Sequence, residues 1–135
     1  MSRDRRLPLF AYGTLQFEEI LISLIGRVPE MRPAIAVDNE ARRLPGVGYP
    51  GLVSVSGGRA EGMLIDGLSA EDWATLDEYE DDFYELTVIT TRELDGSRCR
   101  AHAYRVDPAT ASAAIWTREW FTETHLRAFV GEFLA

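Results

Sequence analysis

Five of the six residues in Asp77-Glu78-Tyr79-Glu80-Asp81-Asp82 are acids, and helical spacing sets one of them apart. A helical pattern begins at Ser69 and runs through Trp73 and Leu76 to Tyr79 or Glu80. At about 100° per residue, Glu80 shares the face of Trp73 and Leu76, whereas Glu78 and Asp82 fall on the other side. A carboxylate turned into a partly apolar site, beside other acids and at the negative end of a helix, is disfavoured in its ionised form. A raised pKa is therefore expected for Glu80, which suits a group that moves protons near neutral pH. Asp77 is the competing candidate on that face, and its alternative role is structural, accepting hydrogen bonds from nearby backbone. For the run as a whole, the alternative is a solvated helix end.

A possible complement lies near the start of the chain. Phe10-Ala11-Tyr12-Gly13-Thr14-Leu15 passes from strand to helix, and Gly13 permits unusual dihedrals or a close backbone approach. Unpaired amides at a helix start form an anion site, particularly for a carboxylate. An ordinary tight connection would read the same way.

Other chemistries find little support. His102 and His125 are separated by 23 residues without a ligand motif between them, so no metal site is expected. Cysteine catalysis would need a base beside Cys99. His102, three residues on in a strand, points to the opposite face, and Cys99 reads as a small buried residue. No Walker sequence or dinucleotide fingerprint is present. The 22 acidic against 14 basic residues, a formal charge of -8, argue against a nucleic-acid partner.

The elements that must position these residues are legible in outline. Leu7 to Tyr12 reads as a buried strand. Phe17, Ile20, Leu21, Leu24 and Ile25 then follow a helical period, with Glu18 and Glu19 in the first turn and Gly26 as the stop. Ala34 to Ala41 could form a strand, and Pro45 to Gly51 a loop. Leu52 to Val55 and Ala60 to Ile65 suggest a hairpin around Gly57-Gly58. Ser69 and Asp72 form a capping-box-like pair. Tyr84 to Arg92 and Arg98 to Val106 form a second hairpin around Asp95-Gly96. Leu126, Phe129, Val130, Phe133 and Leu134 have helical spacing, with Trp116 and Trp120 one turn apart upstream, as in a helix closing over the sheet.

The 135 residues suit a single domain, 1–135. The fold expected is α+β, a small mixed, mainly antiparallel β-barrel with flanking helices. The basic start at Met1 to Arg6 is not followed by a signal-peptide core. No stretch approaches the roughly 20 apolar residues of a membrane span. A soluble, cytoplasmic protein with one cysteine and no internal disulfide is the expectation.

Together these segments resemble the gamma-glutamylcyclotransferase-like superfamily, in its gamma-glutamylamine cyclotransferase and avirulence-induced-gene-like branch. The resemblance rests on Leu9-Phe10-Ala11-Tyr12-Gly13-Thr14-Leu15, Tyr49-Pro50-Gly51-Leu52, Ala60-Glu61-Gly62-Met63-Leu64, Leu76-Asp77-Glu78-Tyr79-Glu80 with Tyr84, and Ala101-His102-Ala103-Tyr104. It implies a cavity between the first turn and the glutamate, and conversion of a gamma-glutamyl amide to 5-oxoproline with release of an amine or amino acid. It also implies Glu80 as general base and acid, and substrate binding by Tyr12, Gly13, Thr14, Leu15, Tyr84 and Tyr104. Neither metal nor organic cofactor is implied, and the partner is a small gamma-glutamyl molecule. Relatives often carry glycine where this chain has Asp81 and arginine where it has Leu86. Both differences bear on the pocket rim and the leaving group. A non-catalytic binding domain and an amide hydrolase on the same scaffold are the alternatives.

Overall fold

A computed structural model describes residues 6–80, 84–124 and 126. Five strands close into a barrel in the order β1-β3-β2-β4-β5. They are β1 (Leu9–Ala11), β2 (Met31–Arg43), β3 (Pro50–Ile65), β4 (Glu85–Glu93) and β5 (Arg98–Arg105). Neighbours pair antiparallel except where β5 meets β1, at Leu9 and His102, and β3, at Leu52 and Arg105. The fold is thus the mixed, mainly antiparallel barrel expected, with α1 (Glu18–Ile25), α2 (Ala70–Tyr79) and α3 (Arg118–Thr124) outside it.

A barrel of so few strands has a narrow interior, and the sequence fills it with small side chains. Ala34, Ala36, Ala60, Ala101 and Ala103 are all buried. Ala36 pairs with Ala60, and Ala34 with Gly62. A Cβ on Gly62 would lie 2.7 Å from the Phe10 ring and 2.4 Å from the Ala11 carbonyl oxygen. Its absence lets Phe10 pack into this space.

The largest departure from the sequence reading concerns Gly57-Gly58. No hairpin forms there, and β3 runs unbroken from Pro50 to Ile65. Its partner throughout is β2, and the turn between them spans residues 44–49. The two glycines instead lie in a bulge, where the register shifts between Val37/Arg59 and Asn39/Ser54. Asp38 opposite takes a left-handed φ of 57° and accepts the Gly57 N–H at 2.8 Å. Gly57 itself sits at φ 79°. A bulge and a tight turn demand the same backbone freedom, so glycines mark both. The bulge bends β3, and its first half crosses to pair with β5.

The helices follow their capping chemistry. Ser69 and Asp72 exchange both bonds of a capping box at the start of α2. The helix lays Trp73 and Leu76 on the core, and Trp73 meets His102 edge-on at 5.4 Å. Gly26, at φ 76°, ends α1. Trp116 is not part of a helix. Its segment is extended, with its N–H on the Ala41 carbonyl and its indole donating to the Gly48 carbonyl at 2.8 Å. Trp116 and Phe17 pack on Phe121 of α3. Leu126 packs half-buried against the core. His125, Phe129, Val130, Phe133, Leu134, Asp81 and Asp82 lie outside the described residues. No helix among the described residues is long and apolar enough to cross a membrane.

Candidate active site

The C-terminal end of β1, the first residues of β3, the last of β5 and the residue before β4 converge on one rim of the barrel. The C-terminal end of α2 covers that rim. Between them lies a cavity of about 230 Å³, lined by Glu80, Tyr79, Tyr84 and Tyr104, by Tyr49-Pro50, and by the run Leu9 to Leu15. All seven residues singled out in the sequence (Glu80, Tyr12, Gly13, Thr14, Leu15, Tyr84 and Tyr104) line this one cavity.

Gly13 is needed where it stands because Pro50 crosses directly above it. A Cβ at Gly13 would meet the proline ring at 2.8 Å. Beyond it, Thr14–Gln16 form one 3-10 turn. The first bond of that turn joins the Gln16 N–H to the Gly13 carbonyl at 3.1 Å. The amides of Thr14 and Leu15 come before any carbonyl the turn can offer them. Both residues line the cavity.

Tyr12 serves the barrel with its side chain. Its hydroxyl accepts the Leu52 N–H at 3.1 Å and donates to the Tyr104 carbonyl. It therefore bridges β3 and β5 where their pairing is sparsest, beside the Val106 N–H bond to the Leu52 carbonyl. Burial, and then the negative charge of Glu80, push its phenol pKa well above the ordinary value, against opposing pulls from the Leu52 N–H and Arg105. The hydroxyl stays protonated, and Glu80 is close enough for its charge to be felt there.

The other hydroxyls have defined directions. Tyr104 donates to Asp77 Oδ1 at 2.6 Å, and Tyr84 donates to the Pro50 carbonyl. A phenol has one proton, so toward a ligand both act as acceptors. The two rings meet edge to face at 6.5 Å. Thr14 Oγ1 and the Tyr79 hydroxyl lie 2.9 Å apart. This bond joins the first turn directly to the end of α2.

Glu80 is the C-cap of α2, with extended backbone, yet its N–H still reaches the Leu76 carbonyl at 3.1 Å. Asp77 does not line the cavity and is exposed. It is a hydrogen-bond acceptor, as the alternative reading has it, but from the Tyr104 side chain and not from nearby backbone. Tyr49, Pro50 and Tyr79 also line the cavity, beyond the site residues that the sequence indicates. The signal for Tyr49-Pro50 was Gly13 itself, because a glycine kept for close approach implies a neighbour that approaches. Cys99 is half-buried, not buried, with Arg32 Nη2 3.8 Å from its sulfur.

Residues 9–122 match the model of the family described as gamma-glutamyl cyclotransferase, AIG2-like. The chain belongs to this family. It is 32% identical over 97 residues to AIG2-like protein C of Arabidopsis thaliana, covering 72% of this chain and 56% of that protein. The chain thus spans little more than half the length of that relative. It is 29% identical over 98 residues to a gamma-glutamylcyclotransferase and putative RNase of Methanocaldococcus jannaschii, covering 72% of this chain and 44% of the other. Among solved structures, an Arabidopsis thaliana protein superposes with a TM-score of 0.74 at 23% identity, covering 99% of this chain and 84% of that one. A structure described as gamma-glutamyl cyclotransferase gives 0.64 at 12% identity, covering 96% and 86%. These structural likenesses concern the fold of the family, a five-stranded mixed barrel with helices outside it.

Proposed function

We propose that this protein is a cyclotransferase that converts a gamma-glutamyl amide to 5-oxoproline and a free amine or amino acid. The observation that carries this reading is one cavity holding both Glu80 and the Gly13–Leu15 turn. In this reading, the amides of Thr14 and Leu15 bind the substrate's alpha-carboxylate. The alpha-ammonium then lies toward Glu80 and the acceptor faces of Tyr84 and Tyr104. At about 230 Å³, the cavity is smaller than the roughly 300–1,000 Å³ typical of drug-sized ligands. That size suits a substrate near the scale of one amino-acid derivative.

Glu80 takes one proton from the ammonium, freeing the nitrogen lone pair. That nitrogen attacks the gamma-carbonyl carbon, closing a five-membered ring and forming a tetrahedral intermediate. When the bond to the leaving nitrogen breaks, Glu80 returns its proton there. The ring nitrogen, which still carries two hydrogens after attack, gives up the second to the departing amine. The carboxylate is thus regenerated, the released amine leaves as its ammonium ion and no external acid or base is consumed. Holding carboxylate and amine together keeps the attacking nitrogen near the carbonyl, which is the entropic part of the rate gain. Asp77 is a positioning residue in this scheme. By accepting the Tyr104 O–H hydrogen bond, it turns the hydroxyl's lone pairs toward a cationic substrate group.

The test is incubation with a panel of gamma-glutamyl amino acids, amines and isopeptides, with 5-oxoproline and glutamate measured separately. Formation of 5-oxoproline with a stoichiometric amine supports the proposal. Glutamate as the only product would replace it with hydrolysis. Saturable binding with neither product would replace it with a binding domain.

A further inference from the structure

A second cavity, away from Glu80, has its own unmet hydrogen-bonding demand. β2 pairs with β4 over the short stretch Ala34–Ala36 against Thr91–Glu93. There β2 enters the bulge at Asp38 and diverges, while β4 continues beside β5 back to Glu85. The resulting seam holds a cavity of about 330 Å³. Asp38, Asn39, Ser54, Thr90, Arg98 and Arg105 supply its polar lining, and Val37, Val88 and Ile89 its apolar part.

Two of these side chains are incompletely satisfied. Asn39 is only 6% exposed, and its Oδ1 has no hydrogen-bond partner. Its Nδ2 donates to the Val37 carbonyl at 2.9 Å, which settles which end of the carboxamide is left over. Arg105 Nε is likewise buried without a partner. A buried acceptor and a buried donor left unpaired are both costly, and native structures rarely keep them without reason. Here both belong to residues of the same cavity, and the shortfall is complementary: one atom lacks a donor, the other an acceptor.

We propose that this seam is a second binding site, for a small free alpha-amino acid in its zwitterionic form. The guanidinium groups of Arg105 and Arg98 face the carboxylate, for which arginine is the best-matched side chain. Asn39 Oδ1 and the Asp38 carboxylate, one oxygen of which already holds the Gly57 N–H, receive the ammonium. Val37, Val88 and Ile89 accept an aliphatic side chain. A plain anion would leave Asn39 unmet, and a plain amine would leave Arg105 unmet.

The experiment is a titration of the full chain, labelled with nitrogen-15, using leucine, acetate and methylamine as separate probes. It follows the Arg105 Nε–H and the Asn39 side-chain amide. Leucine should shift both resonances saturably, with acetate and methylamine each binding at least about tenfold more weakly. Arg105→Gln should weaken leucine by about tenfold or more. Arg98→Gln, at an exposed strand end, should weaken it several-fold and covers the case in which the Arg105 variant does not fold. Glu80→Gln should leave leucine affinity unchanged, so failure here is distinguishable from failure of the cyclotransferase reading. Absence of saturable shifts at both side chains, equal affinity for acetate and leucine, or wild-type leucine affinity in Arg98→Gln would each overturn the proposal.

Discussion

At its N-terminal end α2 places Glu71 and Asp72 in the first turn, whereas at its C-terminal end Asp77, Glu78 and Glu80 arrive with no basic residue in the last turn. The first arrangement follows the helix dipole and the second opposes it. The difference extends to the partners. Asp72 closes the capping box with Ser69 and pairs with Arg27 from beyond α1. Asp77 and Glu80 instead serve tyrosines and a cavity. One end caps the helix and ties it to the segment that follows α1. The other, held in place by it, carries acids that helix stability alone would not select, and local conflicts of this kind concentrate at working sites.

The strongest way to break this contrast is Glu80→Gln. The amide keeps the shape of the side chain but cannot shuttle a proton. On the proposed mechanism, kcat for 5-oxoproline formation should fall by about 10²–10⁴-fold, with the thermal midpoint nearly unchanged. Wild-type turnover in this variant would sink the mechanism. A large loss of stability would mean that Glu80 belongs to the structural end of the comparison.

Asp77→Asn comes next. With the charge gone, Tyr104 is held less firmly, and KM should rise by about tenfold while kcat changes less. Because Asp77 is argued to act through Tyr104, the effect should disappear in a Tyr104→Phe background. Additive effects in the double variant would show that Asp77 acts elsewhere.

At the opposite end, Asp72→Ala removes the N-terminal bonds and the Arg27 pair. It should cost about 1 kcal/mol in denaturant unfolding and change kcat/KM by less than about twofold. An activity loss matching that of Glu80→Gln would collapse the distinction between the ends.

The same contrast explains what the sequence disclosed. Ser69, Asp72, Trp73 and Leu76 were readable because capping and helical periodicity are local, and α2 begins where they indicate. The convergence of Tyr12 to Leu15, Glu80, Tyr84 and Tyr104 was legible only through the ordered family resemblance, since barrel closure joins residues far apart in the chain. Gly57-Gly58 suggests a turn but forms a bulge, because two glycines record backbone freedom without saying whether the chain reverses. The link from Tyr104 to Asp77 spans a strand and a helix, and no periodicity connects them. Trp116 and Trp120 share helical spacing, yet Trp116 is drawn out of a helix by backbone pairing with Ala41. Tertiary hydrogen bonding overrode local pattern there.

The smallest expected effect concerns acid. Burial alone would raise the Asp72 carboxyl pKa, but the Ser69 N–H, the Arg27 guanidinium and the Ser69 hydroxyl outweigh it and hold the group below its ordinary value. A carboxyl whose pKa is lower folded than unfolded binds fewer protons in the native state. Its stabilisation is therefore complete above the unfolded pKa and disappears as pH falls through the folded one. The difference in unfolding free energy between wild type and Asp72→Ala should be constant near neutrality and shrink below about pH 4. Paired denaturant titrations at successive pH values measure it. A difference that grew on acidification would mean that Asp72 is protonated more readily in the folded protein, and the contrast between the two ends of α2 would lose its electrostatic basis.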